Sequence, residues 1–135
     1  MEIRREDMMS HEITFLPDEP ICIVTFREGW DAPESIRSRA QDFRRIFETA
    51  NEPLHLIVDF THVKMTLDGM LRSANSFARG PNAVFRHPMR KTLILVSTEK
   101  LAQMVARGLQ SEAFGHLHVH IFATLEEALA YARSQ

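Results

Sequence analysis

The chain has 135 residues, 44% of them hydrophobic, which suffices for one core and is too few for two ordinary domains. Its 16 Lys and Arg and 18 Asp and Glu give a formal net charge of -2, which argues against the positive field that nucleic-acid binding usually needs. The longest apolar runs fall far below the ~20 residues of a membrane span, and the single cysteine, Cys22, cannot form an internal disulfide. We therefore expect a cytoplasmic protein with a buried, inert thiol, no nucleic-acid partner and no membrane span.

The N-terminal part of the chain is charged and has no apolar run. Residues 1–12 are therefore predicted to be disordered or frayed, and residues 13–135 to form a single domain. Two stretches rich in β-branched and aromatic residues, 13–16 and 21–26, flank the turn-forming sequence Pro-Asp-Glu-Pro. This pattern predicts a β-hairpin.

A helix is predicted to start near Ala32, because Asp31 can cap it, Pro33 suits its first turn and Glu34 completes a capping-box spacing. Apolar residues then recur at steps of three or four and define one face: Ile36, Ala40, Phe43, Phe47 and Ala50. Four arginines fall mostly elsewhere around the helix and are expected to be mostly solvated: Arg37, Arg39, Arg44 and Arg45.

The rest of the chain alternates between apolar runs and amphipathic stretches. Three apolar runs are predicted to be strands, the first two buried on both faces of a parallel sheet: 54–60, 92–96 and 118–122. Three stretches with helical spacing are predicted to be helices, the first ended by Gly80, Pro81 and Asn82: 67–78, 101–109 and 125–132. The prediction is an α/β fold of order β-β-α-β-α-β-α-β-α, a mostly parallel sheet with an N-terminal hairpin and helices packed on it.

This order resembles that of the STAS domains. Within that group, which includes bacterial anti-sigma-factor antagonists, residues 119–131 are similar to the ends of the SpoIIAA-like proteins. The resemblance extends over about residues 13–132. It implies a non-catalytic regulatory domain without a cofactor, which binds a protein partner or self-associates. The fold relation of STAS domains to Sec14-type domains implies an alternative, a carrier of a small apolar ligand or lipid.

The antagonists carry a phosphoacceptor serine in a turn at the start of their second helix. The matching stretch here, residues 59–69, keeps an Asp, a Val and a Gly but is one residue shorter and has no serine. Thr66 is the nearest hydroxyl, and Asp68 supplies a permanent negative charge close to the usual acceptor position. The resemblance therefore implies partner binding without the usual phosphoacceptor serine, and Thr61, His62, Thr66 and Asp68 are the expected contact residues.

Residues 79–91 combine cations with apolar side chains. This segment, with Arg86 as a contact residue, is a candidate surface for a partner or an anionic head group. The alternative is a solvated loop whose Phe85 and Met89 tuck onto the core, and Trp30 is likewise either a core residue or a contact anchor. Several apolar side chains around the second helix suit the carrier alternative: Met65, Met70, Phe77, Phe85 and Met89.

His116, His118 and His120 alternate along the chain, so that two or three imidazoles could converge on a zinc ion. No Asp, Glu or Cys stands nearby at a recognisable ligand spacing. The pattern therefore favours the polar face of an edge strand over a metal site, with His118 and His120 as weak metal candidates.

Polar residues also follow two predicted parallel strands, where open α/β sheets usually bind ligands: Asp59, Thr61, His62, Ser97 and Thr98. An acid, a histidine and hydroxyls suggest a hydrolase. However, the chain lacks a Gly-x-Ser-x-Gly elbow, and it also lacks the glycine-rich loops that bind dinucleotides or phosphates. We therefore predict no catalytic residues.

Overall fold

A computed structural model describes residues 3–79 and 83–135. Within these residues the chain forms six strands: β1 (Arg4–Asp7), β2 (His11–Phe15), β3 (Ile21–Phe26), β4 (Leu54–Asp59), β5 (Arg90–Val96) and β6 (His120–Phe122). It also forms four α-helices: α1 (Pro33–Glu48), α2 (Leu67–Phe77), α3 (Lys100–Leu109) and α4 (Leu125–Arg133). The predicted α/β class is confirmed. Residues 80–82, which were predicted to end the second helix, lie outside the described residues.

The six strands lie side by side in chain order in one sheet. β1 pairs with β2 and β2 with β3 in antiparallel fashion, whereas the pairs β3–β4, β4–β5 and β5–β6 are parallel. The prediction of a mostly parallel sheet is wrong, because an additional N-terminal strand enlarges the antiparallel part. The sheet is mixed.

That additional strand, β1, occupies residues predicted to be frayed. All four of its side chains are charged, so the alternation of apolar and polar residues that reveals a strand is missing. Its backbone pairs with β2, the Arg4 guanidinium lies 3.9 Å from the centre of the Phe15 ring, and Glu6 forms a 2.6 Å ion pair with Arg45 on α1. Pairing with β2 and the ion pair with α1 therefore order this segment.

The two faces of the sheet carry different cores. Helices α1, α2 and α3 cover one face, because right-handed crossovers between strands laid in one direction place their helices on the same side. Leu56 and Val58 of β4 join this larger core, whereas Ile57 and Ile94 join a smaller core under α4 on the second face. Helix α4 packs on β4, β5 and β6. Ile21 and Ile23 of β3 also belong to this smaller core, although the contacts of α4 with the sheet are concentrated on β4–β6.

Helix α1 departs from its prediction in two ways. Ala32 occupies the N-cap without a side-chain hydrogen bond, and the Asp31 carboxylate instead accepts a hydrogen bond from Thr66. Arg39, expected to be mostly solvated, has no exposed surface. Its guanidinium lies 4.4 Å from the centre of the Phe26 ring, because Arg39 stands on the same helical face as Ile36 and Phe43.

Candidate functional site

The beginning of α2 is held in place by the loops around it. The Thr66 hydroxyl caps the helix by accepting a hydrogen bond from the Gly69 N–H (3.1 Å), and it donates to Asp31 Oδ2 (3.0 Å). The Trp30 indole donates to the carbonyl of Lys64 (3.2 Å). Trp30 is only 3% exposed and therefore belongs to the core. These bonds tie α2 to the loop between β3 and α1.

Gly69 allows this close approach. A Cβ atom at this position would lie 2.6 Å from Asp31 Cβ and 2.7 Å from both Thr66 Oγ1 and Trp30 Cη2. A glycine in the first turn of a helix is otherwise unfavourable. Here the absence of a side chain at Gly69 lets the loop around Trp30 pack directly against the helix.

Four of the expected contact residues lie between the end of β4 and the first turn of α2, and all four are exposed: Thr61, His62, Thr66 and Asp68. Arg86 lies at the other end of α2. Its guanidinium donates to the carbonyls of Ala78 (3.0 Å) and Gly115 (3.4 Å) and to that of Phe114. Arg86 therefore has a structural role that its position in sequence did not indicate.

An exposed apolar surface extends along α2 and α3. Leu67 and Leu71, one turn apart on α2, are 55% and 47% exposed, and Met104 on α3 is 59% exposed. The groove between the helices has a volume of about 140 Å³ and is otherwise lined by apolar residues or glycine: Met70, Ala74, Leu101, Val105, Gly108, Leu109 and Phe114. We call these ten residues the α2–α3 surface. Contiguous exposed apolar side chains of this kind are typical of binding surfaces.

A small cavity of about 50 Å³ lies beneath this surface. It shares Met70, Ala74, Val105 and Leu109 with the groove above. The Ser73 hydroxyl, for which residues 3–79 and 83–135 provide no hydrogen-bond partner, is a polar group in its lining.

Three of the five apolar residues associated with the carrier alternative line the cavity: Met70, Phe77 and Phe85. Met65 is buried elsewhere in the larger core, and Met89 packs against it. Phe85 and Met89 thus tuck onto the core, as in the alternative interpretation of residues 79–91.

The His118 and His120 rings lie 4.4 Å apart, centre to centre. His120 Nε2 lies 3.1 Å from the Tyr131 hydroxyl. Burial lowers the pKa of His120, and the neighbouring charges of His118 and Arg90 lower it further. No group of three or more His, Cys, Asp or Glu side chains suited to a metal ion occurs in residues 3–79 and 83–135.

The polar residues at the strand ends do not form one constellation. Asp59 Oδ1 accepts hydrogen bonds from the Thr61 N–H (2.8 Å) and hydroxyl (2.7 Å), and His62 Nε2 lies 4.0 Å from Asp59 Oδ2. Ser97 Oγ instead lies 3.9 Å from Met65 Sδ and accepts a hydrogen bond from the Glu99 N–H. Asp59 therefore lies beside His62, whereas the Ser97 hydroxyl contacts Met65 and the Glu99 backbone and does not join them.

A buried polar cluster joins β2 to α1, and no sequence pattern indicated it. His11 Nδ1 lies 3.0 Å from Ser10 Oγ, and His11 Nε2 lies 2.9 Å from Asp42 Oδ2. Burial lowers the pKa of His11, although its hydrogen bond to Asp42 acts in the opposite direction. These residue types occur in hydrolase triads, but His11 is 1% and Ser10 7% exposed, so the cluster is closed to substrate.

A second, mixed groove of about 560 Å³ lies on the second face of the sheet, over β1–β3 and beside the beginning of α4. It is lined by polar and apolar side chains: Ile3, Arg5, Glu12, Thr14, Leu16, Ile23, Thr25, Arg27, Asp59, His62 and Leu125. We call it the sheet groove.

None of the helices in the described residues combines the length and apolarity needed to cross a membrane. Comparisons with protein-family models, with curated proteins and with solved structures gave no match.

Proposed function

We propose that this chain is a non-catalytic, STAS-like regulatory domain that binds a protein partner through the α2–α3 surface. The observation that carries the proposal is the exposure of Leu67, Leu71 and Met104 beside one apolar groove. Burying apolar surface contributes ~25 cal/mol per Å², so covering these side chains favours association.

The STAS-like assignment is supported by the hairpin β2–β3, by the alternation of strands and helices after it, and by the terminal helix α4. β1 is an addition to the expected order. The Thr66 hydroxyl is engaged with Gly69 and Asp31, which fits a domain that binds its partner without the usual phosphoacceptor serine.

The charges beside the α2–α3 surface indicate the chemistry of the partner. Lys100 and Arg107 lie one turn before and one turn after Met104 on α3, and both are exposed. On α2, the exposed Asp68 lies beside Leu67 and adds one negative charge at that end of the surface. An amphipathic helix that carries acidic residues next to its apolar face would match both the groove and these cations.

The test replaces Leu71 and Met104 with glutamate. Glutamate is also a good helix former, so the double variant Leu71→Glu/Met104→Glu should remain folded while losing apolar contact and repelling an acidic partner. Proteins captured from the source cell are identified by mass spectrometry, purified and titrated by calorimetry. We expect the double variant to bind at least about tenfold more weakly, a loss of about 1.4 kcal/mol.

The matched control is Met9→Glu, which changes an exposed methionine (97% exposed) between β1 and β2 and should bind normally. The proposal fails if no purified protein binds directly, or if the double variant binds as tightly as the unmodified chain.

The second candidate function is a carrier of a small apolar ligand or lipid, favoured by the cavity that shares walls with the groove. At about 50 Å³, this cavity has one third of the ~150 Å³ that admits benzene. A carrier would therefore need α2 and α3 to separate, whereas a docking surface would not. Native mass spectrometry of the purified protein distinguishes the two candidate functions. A copurified lipid supports the carrier, and a spectrum that shows only the mass of the protein contradicts it.

A further inference from the structure

The sheet groove has the size and lining of a small-molecule site. Its volume of about 560 Å³ falls within the ~300–1,000 Å³ typical of ligand sites. Thr14, Ile23 and Thr25 contribute from β2 and β3, and Leu125 contributes from the beginning of α4. The groove lies on the opposite face of the sheet from α1, α2 and α3.

One polar group in this groove has a vacant acceptor position. The Asp59 side chain is 97% buried, being 3% exposed, and its Oδ1 atom is occupied by two hydrogen bonds from Thr61. Among the described residues, Oδ2 receives no hydrogen bond, and His62 Nε2 at 4.0 Å lies beyond hydrogen-bonding distance. A carboxylate oxygen forms its strongest hydrogen bonds with a charged donor. Since Asp59 lines the groove, a ligand there can supply one.

The other charges in the groove are paired with one another. Arg27 bonds Glu12 at 2.8 Å and also Asp7, and Arg5 lies 3.9 Å from Glu12. Arg5 and Arg27 are thus offset by Glu12 within the groove and by Asp7 at its outside. The Asp59 charge has no cation hydrogen-bonded to it among the described residues, so the groove favours a positively charged ligand.

We propose that the sheet groove binds a small primary ammonium compound with an apolar tail. The ammonium group donates to Asp59 Oδ2 and to the hydroxyl of Thr25, which lies beside Asp59 in the register of β3 and β4. The tail packs against Ile23 and Leu125. This site is separate from the α2–α3 surface and does not depend on the proposed function.

The test titrates the isotopically labelled full chain with n-butylammonium chloride and follows the backbone amide signals by NMR. We expect saturable shifts at Thr25, Asp59 and Leu125, with a dissociation constant on the order of 1 mM. The uncharged n-butanol and the anionic n-butyrate test the charge requirement, and neither should saturate. Equal binding of n-butanol, or an absence of saturation by n-butylammonium, would overturn the proposal.

The decisive variant is Asp59→Asn, which keeps an oxygen acceptor for Thr61 and removes the charge. It should weaken n-butylammonium binding at least about tenfold, whereas Asp68→Asn, which changes an exposed carboxylate on α2, should not. If Asp59→Asn fails to fold, the Thr25→Val variant tests the proposal instead. This substitution preserves side-chain shape and removes the Thr25 hydroxyl, the second acceptor of the ammonium group. If a folded Asp59→Asn variant binds n-butylammonium as tightly as the unmodified chain, the assignment is contradicted. The same result for Thr25→Val contradicts it when Asp59→Asn does not fold.

Discussion

At the scale of single residues, Arg39 places a guanidinium group inside the larger core. It donates hydrogen bonds to the Trp30 carbonyl and to Ser10 Oγ, but its Nε atom has no partner among the described residues. Burial lowers the pKa of Arg39 to about 10, while the charges of Asp31 and Asp42 act in the opposite direction. The side chain thus links the Trp30 loop, the start of β2 and α1 at the cost of desolvating a charge.

Arg39→Ala is expected to lower the free energy of unfolding by about 3 kcal/mol, because it leaves a cavity and unpaired polar groups. Arg39→Met should cost less than Arg39→Ala, since it retains apolar volume and removes the buried charge. Urea unfolding followed by circular dichroism measures both. Equal stability of Arg39→Ala and the unmodified chain would show that this contact is not stabilising.

Buried imidazoles should make stability depend on pH. Burial is the main cause that lowers the pKa values of His11, His55 and His120 below the ordinary 6.5. As the pH falls, the unfolded chain therefore binds protons before the folded chain does. The contribution of these three histidines to stability is fully present above about pH 6.5. It is lost as the pH falls toward their folded-state pKa values.

The measurement is the urea midpoint between about pH 7 and pH 5. The midpoint should decrease, and His55→Gln should reduce the decrease because one buried imidazole is removed. His62→Gln, which changes a side chain that is 66% exposed, is the control. A midpoint that rises on acidification would contradict the sign of these shifts.

At the scale of elements, the glycines of α2 and α3 show opposite constraints. A Cβ at Gly69 would lie only 2.6–2.7 Å from atoms of Trp30, Asp31 and Thr66, whereas a Cβ at Gly108 would meet nothing within 4 Å. Helix propensity favours alanine at both sites by about 1 kcal/mol. Tertiary packing therefore determines how an alanine substitution at Gly69 affects stability. At Gly108, helix propensity determines that effect.

Gly69→Ala should lower the free energy of unfolding by about 1–3 kcal/mol through overpacking. Gly108→Ala should raise it by roughly 0.5–1 kcal/mol. Thermal and urea unfolding of the two variants provide the comparison. Stabilisation by Gly69→Ala would mean that the Trp30 loop moves away from α2 at little cost.

At the scale of the whole molecule, the sheet separates two surfaces of different chemistry. The α2–α3 surface is apolar with cations beside it, whereas the sheet groove combines apolar residues with a buried carboxylate. On the second face, α4 packs mainly on β4–β6, and the ion pair between Arg133 of α4 and Glu19 in the β2–β3 turn (2.7 Å) anchors the end of that helix. The sheet groove lies beside the beginning of the same helix. A partner on one surface therefore leaves the other accessible.

Features that depend on neighbouring residues could be predicted from the sequence. Helical spacing identified the amphipathic helices, and apolar runs identified β4 and β5. Thr124, directly before α4, caps that helix by accepting a hydrogen bond from the Glu127 N–H. Cys22 is buried, and burial raises the pKa of its thiol to about 12. These features were predictable because side-chain periodicity and capping act within a few residues.

Features that join distant segments emerged only from the folded chain. β1 is a strand because β2 pairs with it, Arg39 is buried because Phe26 and Trp30 surround it, and Asp31 binds Thr66 instead of capping its own helix. The α2–α3 surface and the sheet groove likewise combine residues from separate elements. Periodicity reports which side chains share a face, but pairing and packing between remote segments determine what that face meets.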